Sequence, residues 1–204
     1  MKTNIFELWP VPILKGNIGI DKTIVNFCDN IEYKKSSVGY TSKNMKVLDS
    51  LKDVKDSIKN ELHLYLKEYM KVNDDLDFRF EQSWIYKLQN GERVGPHMHE
   101  NSLISGVYYI KLPNDKDTLT FVKSPLYNNV FNPTIKVGYK ESNKVNIDSF
   151  NLDVASGDLV LFPSHLLHQT LNSTSSLRYS LSFNIFPRGK INGDFETDFC
   201  GINV

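Results

Sequence analysis

The stretch GPHMHENSLISGVYYIKLP, from Gly95 to Pro113, carries two of the chain's five histidines one residue apart. On an extended strand, residues i and i+2 project from the same face, so His97 and His99 can address one shared object. Two neutral imidazoles on one face make half or more of a site for a first-row transition metal, and a third ligand from elsewhere completes it. Taken alone the pair reads first as two surface histidines, because NGERVGP just before it is a Gly and Pro turn that would end one strand and start the next.

Two further signals give the pair company. In GDLVLFPSHLLHQTL (Gly157 to Leu171) a Gly-Asp turn leads into a strand that stops at Pro163, and His165 and His168 follow. His168 is the better placed third ligand, since it directly precedes the polar turn QTLNSTSS and begins the approach to the next strand. In RYSLSFNIF, strand alternation puts Arg178 and Ser180 on one face and Tyr179, Leu181 and Phe183 on the other. An arginine on a core-directed strand is costly unless it meets an anion, and its planar fork suits a carboxylate. The plain alternative is a salt bridge to one of the 24 acidic side chains.

The elements that must position these residues can be outlined from periodicity. NIFELWPVPILKGNI (Asn4 to Ile18) is apolar and broken by Pro10 and Pro12, which suits an extended edge strand. A helix is expected over Lys22 to Tyr33. A second comes in LKDVKDSIKNELHLYLKEYMKV, where Leu51, Val54, Ile58, Leu62, Tyr65 and Tyr69 recur at steps of three and four and form a stripe facing a sheet; His63 marks its flank. From Phe78 onward short runs rich in aromatic and β-branched residues are separated by Gly, Pro and Asn: FRFEQSWIYKLQ, SGVYYIKL, TLTFVK, NLDVAS, GDLVLFP and RYSLSFNIF. Helices first and strands afterwards predict an α+β chain, mainly β, whose helices brace an antiparallel sandwich. Residues 124–148 are polar and read as one long connection, of the length that serves as a lid or binding loop.

Composition narrows the partners. A chain of 204 residues supports one sizeable core, and a single domain is expected over 1–204: an N-terminal strand with bracing helices (1–75), a β core (76–190) and a tail (191–204). Lysine plus arginine balance aspartate plus glutamate at 24 each, so no net field favours nucleic acid or an anionic membrane. The longest apolar runs are far too short to span a bilayer. Cys28 and Cys200 lack the paired spacing of a zinc site, which with no signal peptide points to free thiols in a reducing cytoplasm. Richness in Lys, Asn and Ile fits a phage or an AT-rich bacterium.

Together the order is HxH, a long interval, His, and Arg ten residues later (178 minus 168). This order resembles that of the Fe(II) and 2-oxoglutarate-dependent oxygenases. More narrowly, PHMHENSLISGVYYIKLP, GDLVLFPSHLLH and RYSLSFNIFP resemble the 2-oxoglutarate oxygenase family found in bacteria and tailed phages, over about Trp84 to Pro187, and NIFELWPVPIL resembles that family's opening segment.

The resemblance implies a double-stranded β-helix, the cupin-like jelly roll, and a dioxygenase that couples decarboxylation of 2-oxoglutarate to substrate oxidation, in most cases hydroxylation. It implies Fe(II) held on one face by His97, His99 and His168, with open positions for 2-oxoglutarate and O₂. Most of the superfamily has a carboxylate where this chain has His99. Three arrangements answer that departure: a neutral three-histidine site, Glu100 as the carboxylate although it would face away from His97 on a regular strand, or a ligand pair of His99 and Asn101. The first is preferred because the resembled family also carries HxH. Arg178, with Ser180 adding a hydroxyl, would pair with the distal carboxylate of 2-oxoglutarate. Tyr109 is the other candidate for that carboxylate, since it stands where prolyl hydroxylases offer a tyrosine; Tyr108 would face the other layer. Packing is as good an account of both tyrosines. Trp84, Tyr86 and Asn101 are candidates for the substrate side, Trp84 being read first as core.

Two other classes remain in view, a non-catalytic jelly-roll module and a three-histidine cupin-like metal protein that does not use 2-oxoglutarate. Neither needs a carboxylate partner such as Arg178. The substrate is not legible, no membrane or nucleic-acid partner is expected, and a homodimer is compatible with the sequence.

Overall fold

The computed structural model describes residues 3–6, 10–20, 22–89, 91–113, 116–123, 138–170, 177–191 and 202–203. After the two prolines the first strand, β1 (Leu14–Asn17), lies at the edge of the larger sheet, where one side of the backbone needs no partner. Helix α1 (Lys22–Asn30) buries Ile24 and Cys28, one turn apart on the same face. It stops short of Tyr33, contrary to the expected span. Tyr33 instead opens a hairpin, β2 (Tyr33–Ser36) and β3 (Gly39–Ser42), that periodicity does not announce. Tertiary contacts decide this: the Tyr33 hydroxyl donates to the Cys28 carbonyl at 2.8 Å and its ring stacks on that of Tyr179.

A 3₁₀ turn (Val47–Ser50) leads into α2 (Lys52–His63), which continues as a π-helical turn over Leu64–Tyr69. Ile58, Leu62 and Tyr65 are buried, as the stripe requires, but Tyr69 is 69% exposed. The wider π turn explains the departure: it adds a residue to the turn and shifts the phase of the helix beyond it, so Leu66 turns inward in place of Tyr69.

The remaining strands are β4 (Asp77–Leu88), β5 (Val94–His97), β6 (Ile104–Lys111), β7 (Lys116–Val122), β8 (Ser149–Ala155), β9 (Asp158–Pro163), β10 (His168–Thr170) and β11 (Arg178–Arg188), with a short ribbon of β12 (Lys190–Ile191) and β13 (Ile202–Asn203). Pairing from β4 to β11 is concentric and antiparallel: β7 with β8, β6 with β9, β5 with β10, β4 with β11. This nested hairpin winds into two sheets, of order β1-β9-β6-β11-β4-β3-β2 and β5-β10-β7-β8. The fold is the jelly roll, mainly β, with antiparallel sheets.

Alternation along the strands divides the apolar residues between two clusters. Tyr108, Tyr179, Leu181, Phe183 and Ile185 pack with Ile24, Ile58, Leu62 and Tyr65 of the helices on the outer face of the larger sheet. Tyr109, Val160 and Phe162 of the same sheet face inward onto Leu119, Phe121 and Val154 of the smaller one. The Tyr108 hydroxyl donates to the carbonyl of Gly19, fastening β6 to the N-terminal segment. Gly106 on β6 lets two strands approach: a Cβ there would stand 2.2 Å from the ring of Phe183 on β11.

Of the polar connection over 124–148, residues 124–137 lie outside the described residues, as does Cys200. Residues 143–147 form a turn held by Asn143 and Asn146.

Candidate active site

His97 closes β5, and the strand begins at Val94, so it contains the Gly95-Pro96 pair read as a turn before it. Proline is tolerated because β5 is the edge of the smaller sheet. His99 lies just beyond the strand, where its backbone N–H donates to the carbonyl of Ser164. Strand β10 inserts between β5 and β7 and sets His168 directly opposite His97. Ring centroids stand 4.3 Å apart for His97 and His168, and 5.2 Å for each ring to His99. One ring nitrogen from each of the three lies within 4.8 Å of the other two, close enough to hold one metal ion.

The hydrogen bonds behind the rings settle which nitrogen faces inward. Nδ1 of His97 meets the Gly95 carbonyl at 2.8 Å, Nδ1 of His168 the Leu166 carbonyl at 2.9 Å, and Nδ1 of His99 the Asn184 Oδ1 at 2.6 Å. A carbonyl oxygen only accepts, so each Nδ1 carries the proton and each neutral ring keeps its lone pair on Nε2. Burial, reinforced by His97 beside it, pushes the His168 imidazole down to about 3; burial likewise lowers His99, against the opposing hydrogen bond to Asn184. Neutral, pre-oriented imidazoles are the form that binds a divalent first-row metal, so the donor set fits Fe(II). Glu100 is exposed, Asn101 occupies an exposed turn at φ +54°, and neither joins the histidine cluster. His165 is exposed and also outside it.

Beside the histidines, the cavity between the sheets is lined by Trp84, Tyr86, Tyr109, Phe162, Arg178 and Ser180 of the larger sheet and Leu119 of the smaller. Trp84 is both core and wall: it is 7% exposed and stacks on His99. Arg178 is buried, and the salt bridge foreseen as its alternative partner exists: Nε donates to Oδ2 of Asp117 at 2.7 Å. Its Nη1 donates to Ser180 Oγ at 3.2 Å, and the guanidinium carbon stands 5.4 Å from the centre of the Tyr109 ring. The Tyr109 hydroxyl is buried and has no hydrogen-bond partner among the described residues. Burial pushes this phenol far up, so it remains a proton donor at neutral pH. A donor left unmet beside a guanidinium fits the carboxylate of a bound acid.

Asp117 and Asn184 were missed from sequence. A signal for Asn184 existed: Arg178, Ser180, Ser182 and Asn184 form an unbroken polar series on one face of an otherwise apolar strand, and all four are buried. Asp117 carried none, being one of many acids near a strand start.

The family described as "Putative 2OG-Fe(II) oxygenase" matches residues 82–184, just over half of the chain and the whole run of strands that carries the histidines and Arg178. Solved structures agree on the fold. HygX from Streptomyces hygroscopicus, with nickel and 2-oxoglutarate bound, superposes with a TM-score of 0.57 at 10% identity, covering 86% of this chain and 82% of that one. The non-heme alpha ketoglutarate dependent epimerase SnoN from nogalamycin biosynthesis gives 0.55 at 11% identity over 94% and 89%. A prolyl-4-hydroxylase from Pseudomonas putida gives 0.51 at 12% identity over 88% and 94%. No curated protein matches the sequence. The chain belongs to the 2-oxoglutarate and Fe(II)-dependent oxygenase family, and its cofactors are Fe(II) and 2-oxoglutarate. Among the described residues no helix is long and apolar enough to cross a membrane.

Proposed function

We propose that the protein is a hydroxylase that binds Fe(II) through Nε2 of His97, His99 and His168 and seats 2-oxoglutarate against Arg178, Ser180 and Tyr109. The observation that carries this reading is the pairing of three inward-facing imidazole lone pairs with a buried, unmet phenol hydroxyl beside a buried guanidinium. Fe(II) held by the three histidines, with 2-oxoglutarate seated beside it, would supply the oxidising power for hydroxylation.

The chain's own residues bind, orient and exclude water. The Gly95 and Leu166 carbonyls and the Asn184 side chain hold the three rings at fixed angles, so the metal meets a preformed face. Arg178 and the Tyr109 hydroxyl supply charge and a hydrogen bond to the distal carboxylate; Ser180, whose oxygen already accepts from Arg178, has its own proton left to give. Phe162 and Leu119 close the deep end against solvent. The Trp84 and Tyr86 rings, in edge contact, offer the substrate an aromatic wall. A non-catalytic jelly roll would carry the desolvation of the Tyr109 hydroxyl, which meets no partner among the described residues, with no return. A ferrous cofactor and the buried free thiol of Cys28 suit a reducing cytoplasm, bacterial or phage-infected.

Anaerobic titration of metal-free protein with Fe(II) and then 2-oxoglutarate tests the reading, through the weak visible band that a chelated 2-oxo acid produces. The band should appear in the wild type and be lost in His168→Ala. In Arg178→Ala it should need far more 2-oxoglutarate, with iron binding retained. No band in the wild type would refute the assignment.

A further inference from the structure

Arg178 is not free to swing. Asp117 is the second residue of β7 in the smaller sheet and Arg178 the first of β11 in the larger, so their contact ties the two walls of the cavity together. Their side chains are 7% and 3% exposed. Both carboxylate oxygens of Asp117 are committed, Oδ1 accepting the backbone N–H of Thr118 at 2.8 Å and Oδ2 accepting Nε of Arg178 at 2.7 Å. Because the guanidinium is planar, fixing Nε fixes the plane and the direction of the other two nitrogens. That direction is toward Ser180 and the Tyr109 ring, whose hydroxyl is unmet. Fold stability alone gives little reason for such a pair, since burying two charges costs about as much as their attraction returns.

We infer that Asp117 is a positioning residue for the co-substrate: by holding Nε it aims Arg178 at the distal carboxylate and so sets the length of 2-oxo acid that the site accepts. The inference rests on the reading of Arg178 and Tyr109 as the seat of 2-oxoglutarate. Asp117 also cancels the formal charge of Arg178. The site therefore distinguishes acids by the direction of its hydrogen bonds more than by net charge, and recognition becomes sensitive to chain length.

The test is equilibrium binding to the anaerobic Fe(II) protein, read from the visible band. Three acids are compared: 2-oxoglutarate, 2-oxoadipate (one methylene longer) and 2-oxopentanoate (no distal carboxylate). Asp117→Ala should weaken 2-oxoglutarate about tenfold or more, reduce its advantage over 2-oxoadipate, and leave 2-oxopentanoate within about twofold. In an Arg178→Ala background it should add no further loss, because its effect passes through the arginine. Asp117→Asn keeps the shape but can accept from only one of its two donors, so it should shift affinities the same way; it keeps the test open if the alanine variant does not fold. Wild-type affinity for 2-oxoglutarate in either variant, or tighter binding, would overturn the inference. So would equal losses for all three acids, or a full additional loss on top of Arg178→Ala. If Arg178→Ala weakens 2-oxoglutarate and the Asp117 variants do not, this inference fails alone; if the wild type binds none, the functional reading fails with it.

Discussion

The indole of Trp84 lies nearly parallel to the imidazole of His99, with ring centroids 5.7 Å apart and 21° between the planes. Any change at the Nε2 of His99 is therefore felt one van der Waals layer away by a fluorophore, and the chain has only one other tryptophan, Trp9. In a Trp9→Phe variant, Fe(II) or Co(II) should quench the Trp84 emission in a saturable 1:1 titration. His168→Ala should abolish the quenching; quenching that survives in that variant would place the metal elsewhere.

Asn184 fixes the third imidazole. Its Oδ1 accepts from His99 Nδ1 at 2.6 Å and from Ser105 Oγ at 3.1 Å. Removing the acceptor in Asn184→Ala frees the ring to turn and lets the proton move to Nε2, which should weaken metal binding about 10–100-fold. Competition with a chelator of known affinity measures it, and an unchanged constant would show that His99 is not a ligand.

The unmet Tyr109 hydroxyl sets stability against binding. Tyr109→Phe removes a buried donor that has no partner among the described residues, so it should raise the unfolding free energy by about 1–3 kcal/mol. The same change should weaken 2-oxoglutarate, because the carboxylate loses a donor. Urea melts with and without 2-oxoglutarate separate the two effects; a destabilised variant would mean that the hydroxyl has a partner in solution.

Gly106 tests the fold itself. A methyl group there meets Phe183 at 2.2 Å and the Leu161 side chain at 2.9 Å, both inside packed strands. Gly106→Ala should cost about 1–3 kcal/mol of stability, with the metal site intact if the strands yield without separating. Denaturant unfolding gives the number; an unchanged midpoint would mean that the Phe183 ring does not lie against Gly106.

Cys28 yields a pH prediction. Burial, with Asp29 beside it, pushes its thiol up to about 12. The fold thus favours the protonated form. Its contribution is full below the unfolded thiol's pKa of about 8.5 and is lost as pH rises from there toward 12. In a Cys200→Ser background the native protein should resist Ellman's reagent at pH 8 and react only on unfolding. In denaturant melts between pH 8 and pH 10, Cys28→Ala should lose less stability than its parent. Prompt native reaction would contradict the burial.

The strands of the β core were legible because their alternation is strong: the odd-numbered residues Tyr179, Leu181 and Phe183 against the even-numbered Arg178, Ser180 and Ser182 announce a strand with two different faces. Periodicity failed where a contact overrode it. Tyr33 looks like the last turn of α1 until its ring finds Tyr179, and Tyr69 looks like the end of a stripe until the π turn moves it outward.

By itself the sequence determined the residue types and their local spacing: HxH, a later histidine, an arginine beyond it, and the order of strands that carries them. That is local information, set by alternation, turn residues and side-chain chemistry. Only the tertiary structure decided that His168 stands across from His97, that Asn184 holds His99, and that Asp117 holds Arg178. Each contact joins residues distant along the chain, through a concentric strand pairing whose register no local pattern encodes.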